Sequence, residues 1–131
     1  MSTPATIAMS IDWPIMGYQG IYCHLDGYPS YMYPLLRDWY FTGARVEALV
    51  EFGDASSIDR LLVPSEDSGH CFDNPETGVC LFYHRDRGDE HRTRYYYNRD
   101  AVLKSNEFVY IFEGCKWTAY HNGQEVNVHD Y

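Results

Sequence analysis

Glu107-Phe108-Val109-Tyr110-Ile111-Phe112, Lys116-Trp117-Thr118-Ala119-Tyr120-His121 and Glu125-Val126-Asn127-Val128-His129 are β-rich runs joined at Glu113-Gly114 and at Asn122-Gly123. Asn-Gly supplies the positive backbone angles that a tight hairpin turn needs, so the tail predicts an antiparallel meander of three strands. Upstream, Ala5 to Ile11 and Gly20 to Leu25 are apolar runs around the Asp12-Trp13-Pro14 break and Gly17, which predicts an opening hairpin with a long loop. Then the period changes. From Ser30 to Tyr40, Met32, Leu35, Leu36 and Trp39 recur at helical spacing, with Pro34 expected in the first turn, where its missing N–H costs nothing. A second helix is expected from Arg45 to Phe52, with Val46, Leu49 and Val50 as its apolar stripe and Gly53 as its stop. Asp54 or Ser56 would cap a further short turn carrying Ile58, Leu61 and Leu62.

Residues 63–78 are rich in Pro, Ser, Asp, Asn and Gly and read as a long loop. Strand patterns return at Val79 to His84 and at Thr93 to Tyr97, and Asp100 to Lys104 suits one helical turn. The fold class that follows is α+β: a mostly antiparallel sheet with two helices on one face, closed by the C-terminal meander, in a single domain over residues 1–131. No glycine-rich phosphate loop lies between a strand and a helix, so no nucleotide cofactor is expected.

The formal net charge is −9, which disfavours direct binding of nucleic acid over most of the surface. The imbalance is local. Glu47, Glu51, Asp54, Asp59, Glu66, Asp67, Asp73 and Glu76 face only Arg60 within their span, whereas Arg85, Arg87, Arg92, Arg94 and Arg99 crowd a later strip. Such an acidic stretch suits docking on a basic protein surface, or simply solubility. The 13 tyrosines suggest a recognition surface, and Tyr95 to Tyr97 beside Arg99 have the residue types enriched at interfaces. Cys23, Cys71, Cys80 and Cys115 follow no disulfide or CxxC spacing, which predicts reduced thiols in a cytoplasmic protein. No signal-peptide pattern and no membrane-length apolar run is present in the sequence.

Two segments echo each other: Tyr22-Cys23-His24-Leu25-Asp26-Gly27 and Tyr83-His84-Arg85-Asp86-Arg87-Gly88. On neighbouring strands His24, Asp26, His84 and Asp86 would converge as two imidazoles and two carboxylates, fit for a metal ion or for His–Asp proton transfer, with Glu90 and His91 adjoining. The plainer reading gives both aspartates to the turns that follow them. A zinc site from His70, Cys71, Cys80 and His84 has the right ligand types but the wrong spacing, and a buried free thiol is the simpler assignment for Cys80.

The octapeptide Tyr22 to Pro29, the segment Leu49 to Ser57, the hexapeptide Tyr83 to Gly88 and the closing Glu107 to Phe112, in that order, resemble a family of small uncharacterised proteins of bacteriophages and mobile elements. The chain departs from that family at the 63–78 loop and in the added Glu125 to His129 strand. The resemblance implies an accessory phage or mobile-element product. Together with acidity and tyrosine content, it predicts a protein that binds and inhibits a host defence protein, in its most concrete form an anti-CRISPR mimic of nucleic acid. The partner-binding residues are then Glu47, Glu51, Asp54, Asp59, Glu66, Asp67, Tyr95, Tyr97 and Arg99, set against a host protein with a basic surface. The alternative is a metal-dependent enzyme or small-ligand binder using His24, Asp26, His84 and Asp86.

Overall fold

The protein is described here by a computed structural model covering residues 2–129 and 131. Strands β1 (Ala5–Ile11) and β2 (Gly17–Cys23) form the opening hairpin, followed by helices α1 (Pro29–Trp39) and α2 (Gly43–Glu51) and the short strand β3 (Ala55–Ser57). After the long loop come β4 (Leu81–Phe82), helix α3 (Tyr83–Arg87), β5 (Arg94–Tyr96) and helix α4 (Arg99–Leu103). The meander is β6 (Phe108–Glu113), β7 (Lys116–His121) and β8 (Gln124–Glu125). These strands make one eight-stranded sheet in the order β4-β3-β2-β1-β6-β7-β8, with β5 also paired to β2. Most pairings are antiparallel; β1 with β6 and β2 with β3 are parallel.

The α+β class, the two helices on one face and the closing meander are as the sequence predicts. Alternation along β1 explains the layering. Ala5 and Ile7 join Ile21, Tyr110, Phe112 and Trp117 beneath α1 and α2, while Ala8 joins Val109, Ile111 and Val102 of α4 on the opposite face. The central strand is therefore buried on both sides, which is why Ala5, Ile7 and Ala8 are all apolar and the intervening Thr6, also buried, is bonded to Ser105 and Asn106.

Several local expectations are corrected. Pro29 occupies the start of α1 and Pro34 lies inside it, so the Ser30 carbonyl receives no N–H from position 34. Burial of Met32, Leu35 and Leu36 offsets that loss. Helix α2 begins earlier than expected because the Thr42 hydroxyl accepts from the Arg45 N–H at 3.2 Å. Where Asp54 or Ser56 is expected to cap a turn carrying Ile58, Leu61 and Leu62, Ala55–Ser57 instead form β3 beside Cys23 and Phe82, and Leu61 bridges to Val79. The strand expected over Glu125 to His129 pairs only at Gln124–Glu125. The largest correction is α3: the chain leaves the sheet at Phe82 and coils, ending at Gly88 with φ +83°.

Candidate functional site

The helical turn at α3 separates the residues expected to form one His/Asp site. Residues two apart share a strand face but lie roughly opposite on a helix. Asp86 turns inward, accepting from the Phe82 N–H at 2.8 Å and from Arg85 Nε at 2.8 Å, with His70 Nε2 3.3 Å away. His84 turns outward; its Nδ1 donates to the Asp89 carbonyl at 2.8 Å, and its ring meets His91 edge-on at 5.3 Å. His91 in turn donates from Nε2 to the Glu51 carbonyl at the end of α2, at 2.5 Å. His24 shares Nδ1 with the Tyr22 hydroxyl at 2.8 Å, and Asp26 is an exposed turn residue with φ +59°. His24, His84 and Asp86 are thus each engaged in a local contact of their own, and the Asp26 side chain is exposed. Among the described residues no group of three or more His, Cys, Asp or Glu is arranged to hold a metal ion.

The alternative zinc set fails for a related reason. Cys80 is buried, 3.2 Å from the Tyr40 hydroxyl, while Cys71 is exposed on the loop and His70 is committed to Asp86. Burial pushes the Cys80 thiol pKa up and that of Cys23 up to about 12, so neither is a ready nucleophile.

The inward side of α3 is a structural node that the sequence did not disclose. Arg85 forks onto Asp86, donates to the Leu62 carbonyl and, at 2.9 Å, to the Cys80 carbonyl, and lies over the rings of Phe52 and Phe82 at 5.0 and 4.9 Å. His70 Nδ1 accepts from the Glu76 N–H at 2.9 Å, which leaves Nε2–H to face Asp86. Burial raises the Asp86 pKa, but hydrogen bonds from Arg85, Phe82 and His70 and the guanidinium charge outweigh it and hold the carboxyl below its ordinary range. These contacts tie the 63–78 loop to the sheet.

Beside α3, a cleft of about 460 Å³ gathers Arg87, Arg92 and Arg94 with Tyr22 and Tyr83. Each guanidinium is already met: Arg87 by Asp89 at 2.7 Å, Arg92 by Glu90 at 3.3 Å and Arg94 by Asp54 at 2.6 and 2.9 Å. The cleft is self-neutralised, and it presents no anion site free of an internal competitor.

The predicted partner-binding acids divide into two groups. Asp54 is an internal fastener, taking both Arg94 and the Tyr22 N–H at 2.9 Å, and Asp59 turns to its neighbour Arg60. Glu47, Glu51, Glu66 and Asp67 are exposed and form no ion pair with another described residue. Of the aromatic edge, Tyr95 and Tyr97 face outward while Tyr96 packs under α4. Arg99 is pinned by Glu113 and by the Tyr120 hydroxyl.

Sequence reasoning missed the β1–β2 tip. Trp13, Ile15 and Met16 stand 83%, 63% and 76% exposed. The available signal was three large apolar residues around a proline in a segment already read as a loop. Compared with protein-family models, with curated proteins and with solved structures, the chain matches none of them. No described helix is long and apolar enough to cross a membrane.

Proposed function

We propose that this chain is a binding protein that acts by occupancy, its unpaired acids engaging a basic protein surface that otherwise holds nucleic acid. The observation that supports this is the partition of charge. Arg85, Arg87, Arg92, Arg94 and Arg99 are each held by a carboxylate of the chain itself. Paired charges fade to dipoles beyond a screening length of about 10 Å, so the field reaching a partner is that of the unpaired charges, and among the described residues the unpaired acids outnumber Arg45 and Lys116. The resemblance to phage and mobile-element proteins narrows the partner to a host defence protein, with anti-CRISPR inhibition as the specific form. The alternative, a metal-dependent enzyme or small-ligand binder using His24, Asp26, His84 and Asp86, has less to support it: Asp86 is taken up by Arg85, Phe82 and His70, and no three metal-ligating side chains stand together among the described residues.

Capture from host cells on the intact chain, followed by competition with the captured protein's own nucleic acid, tests the proposal. Chain and nucleic acid should exclude one another. Simultaneous binding of both, or the absence of any captured protein, overturns it.

A further inference from the structure

We propose that the β1–β2 tip is an apolar anchor that seats Trp13 and Met16 in a hydrophobic recess of a folded protein partner, with a basic side chain at the lip to meet Asp12. The proposal goes beyond the acidic surface and does not depend on it. Tight turns are ordinarily built from Gly, Asn, Asp and Pro, because these residues fit the backbone and tolerate water. Here Trp13, Ile15 and Met16 are exposed together, and Tyr97, at 76% exposure, extends the same apolar character from the end of β5. Isolated exposed hydrophobes are ordinary, but a contiguous run of them on a projecting loop is not.

The tip is also braced. The Tyr95 hydroxyl donates to the Met16 carbonyl at 2.5 Å, and the Tyr95 side chain lies so close over Gly17 that a Cβ there would sit 2.5 Å from its oxygen. Bracing lowers the conformational entropy lost when the loop is seated, the means by which preorganised aromatic anchors gain affinity. Charge selects among occupants. From Ile11 to Cys23 the only charged residue is Asp12, and Arg99, which lines the cleft beside Asp12 and Met16, is taken by Glu113, so the tip offers no free Lys or Arg of the kind that holds loops at anionic bilayers. A chain of net charge −9 is repelled by such bilayers and by a second copy of itself. A protein recess that is apolar, with one basic side chain at its rim, meets both features.

The test places the photo-crosslinker p-benzoylphenylalanine at position 13 of the intact chain, with the same substitution at exposed Lys104 as control. Irradiation in host cells should join position 13, but not 104, to another protein at a mapped apolar recess. With that protein purified, Trp13→Ser and Met16→Ser should each weaken binding about tenfold or more, by the same factor at low and high salt. Tyr95→Phe keeps the ring over Gly17 but removes the brace, and should cost only a few-fold. Unchanged thermal midpoints show that the variants fold. Crosslinks to a second copy, partition of the chain onto phosphatidylcholine vesicles, no crosslink at position 13, or full affinity in Trp13→Ser each overturn the proposal. Neutralising Glu47 and Glu51 bears only on the acidic surface, so the two proposals fail separately.

Discussion

The 63–78 loop and the β1–β2 tip invert what their compositions suggest. The loop is long and polar, yet it reaches inward: His70 is buried against Asp86, the Phe72 N–H bonds the Asp86 carbonyl at 2.9 Å, and Phe72 stacks on Tyr83 at 5.6 Å. The tip is short and apolar, yet it points into solvent. Whether a loop serves folding or recognition is decided by where its side chains find partners, and hydropathy alone assigns both segments the wrong way round. The comparison breaks most visibly at Arg85. Replacing it with Met would strand the buried Asp86 carboxylate without its principal partner, a loss of about 3 kcal/mol or more. Urea unfolding measures that loss, and limited proteolysis should show new cleavage within 63–78. Arg85→Lys keeps the charge but not the fork, and should fall between the two. A destabilisation under about 1 kcal/mol for Arg85→Met would mean that the loop is held by something else.

Asp54 offers the next largest effect. Asp54→Ala removes the acceptor of the Tyr22 N–H and of Arg94 at the junction of α2 and the sheet, and should cost about 1–2 kcal/mol. Most of this belongs to the stranded N–H, since Arg94 is partly solvated and its ion pair is screened. The effect should be absent in Glu47→Gln, on the exposed side of α2. Equal unfolding midpoints for Asp54→Ala and the wild type would place Asp54 among the free surface acids after all.

The node around α3 should also register in acid. The Asp86 pKa is lower in the folded protein than in the unfolded chain, so below about 4 the unfolded state binds the extra proton more readily. Its contribution to stability is fully present above that range and is lost as pH falls through the folded-state value. Asp86→Asn should flatten this part of the stability profile relative to the wild type. A variant whose stability falls as steeply as the wild type below about pH 4 would remove Asp86 from the acid response.

How far the sequence reached follows from the range over which its signals act. The β6–β7–β8 hairpins were legible because Asn122-Gly123 and the alternation of Trp117 and Ala119 with Thr118 and Tyr120 are local signals. Helix α2 was legible because its stripe and the Gly53 stop fall within two turns. Helix α3 was misread because five residues are too few for a helical period to appear, and His84-Arg85-Asp86 alternates as a strand would. What fixes it is the Asp86 carboxylate reaching back to Phe82 together with a loop residue far up the chain, His70. The same limit hid the Asp54–Arg94 pair, whose members are 40 residues apart. The strand that was to carry His84 and Asp86 is a helical turn that sends them to opposite sides, while Tyr95, outward on β5, and Tyr97, just beyond its end, are both exposed.

The finest contrast is between acids that fasten and acids that face a partner. Replacing Glu47, Glu51 and Glu66 with Gln and Asp67 with Asn removes charge where no described residue uses it, so the unfolding midpoint should stay where it is. What should change is the rate of association with the captured partner. Long-range attraction accelerates encounter only while the screening length is large, about 30 Å at 0.01 M salt and about 3 Å at 1 M. The neutralised variant should therefore associate about tenfold more slowly than the wild type at the low end, and the two should converge at the high end. Dissociation rates should scarcely differ, because these side chains are exposed and stay solvated. Tip variants make the opposite pattern, with faster dissociation at every salt concentration. Equal association rates for wild type and the neutralised variant across the whole series would reduce Glu47, Glu51, Glu66 and Asp67 to a solubilising surface and leave recognition to the tip and the Tyr95–Tyr97 edge.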